Sequence, residues 1–423
     1  MNTIFSESAI IQHYNDAKEQ YRQYGIDTDK VLKLLSTVPV SVHCWQGDDC
    51  AGFEGEDEIT GGGILATGNY PGRARNGNEL RMDFEKAMSM IPGTLRFNIH
   101  AMHREAETNI ERDEIEIEHF QSWIEWAKNL DIALDFNPTY FSHPKAAAGF
   151  TLSSKDADIR QFWIEHGKRS RKIAHQIGKA LGKQCVNNFW IPDGSKDYPV
   201  DRYGHRVILR DALDEIFEEK YPAEYSSDAV ESKLFGIGSE AYVVGSHEFY
   251  LGYALSRNIM LTMDAGHYHP TENIADKLSA LLPFMDHLLL HVSRTMSWDS
   301  DHVVLFDDAN RAIAQEITRA VAFDKVNIAL DFFDASINRI SAWVIGTRAT
   351  EKSLLYALLE PKELLLKEET SGNLGNRLAL LEELKTLPFS AVWNKYCLDQ
   401  NVPIGTSWLA EVEKYEKSEL LKR

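Results

Sequence analysis

The residues of this chain with the strongest chemical character are concentrated between positions 231 and 331. Glu231 is followed two positions later by Lys233, Asp264 three positions later by His267, and Asp299 two positions later by Asp301, while His291 and Asp331 stand alone. Carboxylates and imidazoles without thiolates suit Mn²⁺, Mg²⁺, Co²⁺ or Zn²⁺ better than a soft metal. Glu231, Asp264, His267, His291, Asp299, Asp301 and Asp331 are too many for one ion. Two divalent ions sharing a carboxylate would use them all, and a pair about 4 Å apart can polarise two oxygens of one substrate. Each residue alone has an ordinary alternative: a strand-end acid can cap the next helix, and His291 within LLLHVS can be a packed core histidine. Together, so many acids at neighbouring strand ends would repel one another without cations. The set therefore reads as a metal centre.

Lys233 lies two residues after Glu231 and so faces the same way along an extended chain. There it could hold a carbonyl or developing alkoxide oxygen, or form a salt bridge to a ligand carboxylate. His100 closes the run LRFNIH and could move a proton on or off a hydroxyl group. Trp45, Phe136, Trp190 and Phe333, with Phe332, end other runs and are expected as pocket walls, since sugars present C–H faces to aromatic rings. The pair Gly236 and Gly238 lacks the third glycine of a dinucleotide fingerprint, and no GxxxxGK[ST] or GxSxG occurs. Nucleotide cofactors and an elbow nucleophile are not expected.

These residues need a frame. Eight short apolar or β-branched runs recur: Val38–Trp45, Leu95–His100, Asp131–Phe136, Cys185–Ile191, Asp228–Phe235, Ile259–Ala265, His287–Val292 and Val326–Phe332. Helical spacing fills the intervals at Ile115–Asn129, Asp158–Gly182, Asp211–Lys220, Glu272–Met285 and Asp308–Ala322. Alternating strands and helices predict an α/β fold, and eight units favour a closed (β/α)8 TIM barrel over an open sheet. The expected division is a barrel over 1–350, with an N-terminal helical segment, and a C-terminal helical extension over 351–423. The glycine-rich stretch 49–81 is expected to fold over the mouth as a lid-like loop.

With 423 residues, 43% hydrophobic and 26% charged, the chain can bury a large core. Its net charge of −19 disfavours phosphate backbones and anionic membranes. Few cysteines without CxxC spacing, no signal-peptide pattern and no long apolar run point to a cytoplasmic protein with no nucleic-acid or membrane partner.

Longer motifs add to this reading. HCWQGDD (43–49), ATGNYPG (66–72), LDFNP (134–138), FTLS (150–153), WIPDG (190–194), VESKLFGIG (230–238), MDAGHYHPTE (263–272), LLLHVSR (288–294), WDSDHVV (298–304) and the stretch 330–348 together resemble the L-rhamnose isomerase family. The resemblance runs from about residue 30 to the C-terminus. It implies catalytic-metal ligands at His267, Asp299 and Asp301 and structural-metal ligands at Glu231, Asp264, His291 and Asp331; in the more distant xylose isomerases a carboxylate bridges both ions, which makes Asp264 the candidate bridge here. Lys233 stands where the more distant xylose isomerases also carry a lysine. The implied cofactors are two divalent ions per subunit, Mn²⁺ foremost, with Zn²⁺, Co²⁺ or Mg²⁺ as alternatives at one site. The implied activity is reversible aldose–ketose isomerisation of L-rhamnose to L-rhamnulose by a metal-assisted hydride shift, in rhamnose catabolism and by a homotetramer. Lys233, Asp299 and, in ring opening, His100 are the expected catalytic residues. Tyr268, Ser341 and an extra glycine within Gly61–Gly63 depart from the family pattern without touching a ligand. A metal-dependent hydrolase could use the same donors to activate water, and a sugar-binding protein could use the same walls. Lys233 favours isomerisation over the first, and a binding protein has no use for seven ligands.

Overall fold

A computed structural model describes residues 6–45, 52–54, 68, 70–234, 241–269, 271–294, 296 and 301–423. Eight parallel strands close into a barrel: β1 (Pro39–His43), β2 (Thr94–His100), β3 (Ala133–Asn137), β4 (Cys185–Trp190), β5 (Ser226–Glu231), β6 (Met260–Asp264), β7 (Leu288–Val292) and β8 (Val326–Leu330). Each lies inside or beside one of the eight expected runs. Their side chains are buried on both faces, which is why they read as continuous apolar runs rather than alternating ones.

The barrel follows chain order all the way round, with β1 closing on β8. β1 and β2 pair from Pro39↔Thr94 to His43↔Asn98, and β4 and β5 from Cys185↔Ser226 to Trp190↔Glu231. The β3–β4 pairing is sparse, with Phe136↔Asn187 as its single matched position. There a side chain takes over from the ladder: Asp135 accepts the Val186 N–H at 2.8 Å through Oδ1 and the Ser41 hydroxyl at 2.6 Å through Oδ2. The Arg96 guanidinium holds the same carboxylate from β2.

Helices α1 (Glu7–Arg22) and α2 (Thr28–Leu35) precede the barrel. The crossover layer is α3 (Gly77–Met88), α4 (Gln121–Leu130), α5 (Ala157–Leu181), α6 (Arg202–Ile216), α7 (His247–Arg257), α8 (Ile274–Leu281), α9 (Asp308–Arg319) and α10 (Arg339–Leu358). Asn76, Asp156, Asp201, Asn273, Asp307 and Asn338 each cap the helix that follows by accepting a first-turn backbone N–H. These caps fix where the chain leaves each loop at the mouth. Three expected helices differ in extent, the one expected at 272–285 being confined to Ile274–Leu281. The helix expected at 211–220 begins earlier, at Arg202 behind its Asp201 cap, and that at 115–129 is preceded by two 3₁₀ turns, Arg112–Glu114 and Ile117–Phe120. Helices α3, α7 and α10 have no counterpart among the five expected crossover helices.

α10 runs through position 350, so the last barrel helix carries the chain across the expected division. Beyond it come α11 (Lys362–Thr370), α12 (Leu374–Leu384), α13 (Phe389–Asp399) and α14 (Trp408–Ser418). α13 packs on α1, and α14 on α10. Arg423 grips the buried Asp83 of α3 with two nitrogens, at 2.6 and 2.8 Å. Much of the lid-like stretch falls outside the described residues, and its last five residues, 77–81, form the start of α3. Within it, the Phe53 N–H bonds to the Met102 carbonyl at 2.9 Å, and Glu54 lies between Arg104 and Arg112.

Candidate metal centre and substrate pocket

Four of the expected ligands converge at the C-terminal ends of the strands, the end where barrels of this type build their sites. Glu231 ends β5, Asp264 ends β6, His291 lies in β7 and Asp331 follows β8 by one residue. One donor atom from each lies within 4.8 Å of all the others. His291 Nδ1 is 3.4 Å from Glu231 Oε1, 3.6 Å from Asp264 Oδ2 and 3.3 Å from Asp331 Oδ2. His267, carried by the turn after β6, places Nδ1 3.3 Å from the same Glu231 oxygen. Glu231 Oε1 thus lies within 3.4 Å of both imidazoles.

The electrostatics show what this cluster requires. Burial opposes charge on His291, yet the carboxylates of Glu231, Asp264 and Asp331 lift its imidazole well above the usual histidine range. Burial likewise opposes charge on Glu231, but the two imidazoles hold its carboxyl below the usual range. Asp264 is pushed up, first by burial, with the charges of Glu231 and Asp331 adding to it. Glu231 Oε1 and both His291 ring nitrogens are buried without a hydrogen bond of good geometry. Buried carboxylates around one point, with donor atoms aimed inward and unsatisfied, fit a divalent cation.

Above the cluster a pocket is lined by Trp45, His100, Asn137, Trp190, Lys233, His267, Asp301 and Phe333, with Glu231 and Asp331 in its floor. β5 ends at Glu231, so Lys233 sits on the loop rather than the strand, held by its N–H to the Gly245 carbonyl at 3.2 Å. Its Nζ lies 5.1 Å from the centre of the Trp190 ring, a cation–π contact that aims the ammonium along the pocket wall. His100 Nδ1 meets the Thr139 hydroxyl at 3.1 Å, and burial, with His103 adding to it, holds the ring well below the usual histidine range. Both causes favour the neutral imidazole. Asp301 adopts a positive φ of 38° and its carbonyl accepts the Phe333 N–H at 3.0 Å. Its partner in the expected pair, Asp299, lies outside the described residues.

The aromatic wall differs in one member. Trp45, Trp190 and Phe333 pack with Phe141 and Met102 around the mouth. Phe136 does not join them. As the penultimate residue of β3 it points to the helix layer and packs edge-on against Phe120 at 5.2 Å, while its neighbour Asn137 turns into the pocket. Phe332 similarly packs on His43 and beneath Gly346, so strand alternation sends only Phe333 inward. Asn137 in the pocket, Asn188 beside Glu231 and Phe141 behind Trp45 are residues that the sequence reading passed over. The two asparagines carry a faint signal as polar residues within otherwise apolar runs.

Residues 8–423 match the family model described as L-rhamnose isomerase (RhaA). The chain belongs to the L-rhamnose isomerase family. It is 57% identical to the L-rhamnose isomerase of Rhodopirellula baltica over 407 residues, covering 96% of this chain and 95% of that one. The protein of the same name from Mannheimia succiniciproducens is 57% identical over 416 residues, covering 98% and 100%. That from Listeria innocua is 54% identical over 417 residues, covering 99% of each. Membership makes the chain an aldose–ketose isomerase, and the buried acidic cluster is consistent with metal dependence. Among the described residues no helix is long and apolar enough to cross a membrane.

Proposed function

We propose that this chain interconverts L-rhamnose and L-rhamnulose by a hydride shift at a centre for two divalent ions, with manganese as the working metal. The observation that carries this reading is the convergence of Glu231, Asp264, His291 and Asp331 beneath a pocket that also holds Lys233, His267 and Asp301, in a chain of this family. Glu231, Asp264, His291 and Asp331 would hold one ion, and His267, Asp299 and Asp301 the other. Bound there, divalent ions supply Lewis-acid polarisation of adjacent sugar oxygens.

The side chains do the rest. Trp45, Trp190 and Phe333, backed by Phe141, take the apolar faces of the open-chain sugar and exclude water from it. Lys233 donates to the C1 oxygen as that oxygen gains charge. In the shift, the C2–H bond breaks with its electron pair passing to C1, while one proton leaves the C2 oxygen and one reaches the C1 oxygen. The product is an isomer, and no redox cofactor is consumed. Asp299 directs that proton, and His100, neutral and buried, handles the anomeric proton during ring opening. Running the reaction in deuterated water discriminates this route from an enediol, because substantial solvent deuterium at product C1 contradicts the shift. The same reading includes a cytoplasmic homotetramer, with 351–423 as its helical extension.

Metal-stripped protein assayed for ketose formation from L-rhamnose tests the function. Activity that returns with Mn²⁺, and fails to return in His267→Ala, is the expected result. Wild type inactive on L-rhamnose with Mn²⁺ overturns the substrate assignment.

A further inference from the structure

Each of the three carboxylates in the cluster has one oxygen engaged by a neutral donor and the other turned inward. Glu231 Oε2 accepts from the Asn188 amide at 2.5 Å, leaving Oε1 for the centre. Asp264 Oδ1 accepts the Gly266 N–H at 2.6 Å, leaving Oδ2. Asp331 Oδ1 accepts the Trp45 indole N–H at 2.6 Å, again leaving Oδ2. The three remaining oxygens are the ones within 3.3–3.6 Å of His291 Nδ1. The donors are themselves fixed. Asn188 presents its carbonyl oxygen to the Thr262 hydroxyl at 2.7 Å, which settles which end of the amide faces Glu231. Trp45 is wedged between His100 and Phe141, with ring centres at 4.5 and 6.1 Å.

From this arrangement we infer that Trp45 and Asn188 are positioning residues that restrict Asp331 and Glu231 to one-oxygen coordination and thereby select small divalent ions against calcium. The inference rests on the metal reading above and extends it to residues outside the ligand set. Calcium is commonly held by six to eight oxygens and readily uses both oxygens of a carboxylate, whereas manganese, magnesium and zinc accept fewer, single-oxygen ligands. Three single oxygens and one imidazole leave open positions for a substrate without satisfying calcium. Trp45 has a second consequence through its place in the wall: the ring that would meet the sugar also holds the carboxylate that would meet the metal.

The test is metal binding by the full-length, metal-stripped chain. Free Mn²⁺ is followed by its paramagnetic resonance signal, and Ca²⁺ by competition against Mn²⁺, in wild type, Trp45→Phe, Asn188→Ala and Thr262→Val. Trp45→Phe keeps an aromatic wall while removing the donor, and Thr262→Val is close to isosteric, so at least one variant reports even if another misfolds by circular dichroism. Removal of such outer partners typically weakens metal affinity on the order of 10–100-fold. The expected result is a loss of that size for Mn²⁺ in Trp45→Phe and Asn188→Ala, smaller in Thr262→Val, with Ca²⁺ weakened less so that the preference narrows. Unchanged Mn²⁺ affinity, or equal weakening of both ions, overturns the inference while leaving the metal reading standing. Wild type that takes up no Mn²⁺ overturns the metal reading itself.

Discussion

Lys233 is the residue on which the proposed chemistry leans hardest outside the ligand set. Its ammonium is buried beside Trp190, at the height of the pocket where a substrate oxygen would lie. Removing one preorganised donor of this kind costs about 10²–10³ in rate. Lys233→Met is therefore expected to lose that much kcat while retaining Mn²⁺ uptake, since it supplies no ligand; a variant with kcat near wild type would remove Lys233 from the mechanism. His100 offers a different test. Burial holds its ring well below the usual histidine range, so it is not expected to supply an acid limb between pH 5.5 and 8. The acid limb of kcat/KM over that interval is expected to persist in His100→Gln, and its disappearance would show that His100 does titrate there. The ligand types were legible in the sequence because carboxylates and imidazoles at successive strand ends form a repeating signal. Asn188 and Trp45 were not legible as metal-positioning residues, because that role exists only across strands, β4 to β5 and β1 to β8.

The eight strands were readable because burial on both faces makes each one a dense apolar run. The places where reading failed are those where a side chain does the work of a backbone. Phe136 looked like a wall because the run ends there, but the register that pairs it with Asn187 turns it toward the helices. Asp135 was legible only as a letter of LDFNP with no role attached, although it joins β1, β2 and β4 through Ser41, Arg96 and the Val186 amide. Breaking a buried pair by removing one partner costs roughly 3–5 kcal/mol, because the other charge is left uncompensated. Asp135→Ala should lower the unfolding free energy by that amount in urea titration, and a loss below about 1 kcal/mol would mean that the strand ladder holds without it. The motifs WIPDG and FTLS find their purpose at this scale too. The buried Asp193 accepts the backbone N–H and hydroxyl of both Thr151 and Ser153, fastening the loop after β3 to the end of β4.

The whole molecule has two dependences that follow from its buried titratable groups. A ligand that binds only the folded state stabilises it by mass action. Chelation should therefore lower the thermal midpoint of the chain, and Mn²⁺ should restore it in a concentration-dependent way; a midpoint indifferent to metal would contradict the centre. The second dependence comes from His43 and His103, both buried and both held down to about 4 chiefly by burial. A histidine with a lowered folded-state pKa contributes its full stability above its unfolded value near 6.5 and loses it as pH falls toward 4. Each should remove roughly 1 kcal/mol per pH unit across that window. Urea unfolding of chelated protein at pH 7 and pH 5 measures the sum, and His103→Gln should flatten the slope; an unchanged slope would exclude His103 as a source. The sparse pairing of β3 with β4 lies beneath the point where Phe141 and Trp190 meet at 5.1 Å. The backbone ladder of the cylinder is thus thinnest under that pair of rings. Amide exchange is expected to be fastest on that flank, and protection there equal to that of β1 and β2 would show that Asp135 closes the seam as firmly as a ladder does.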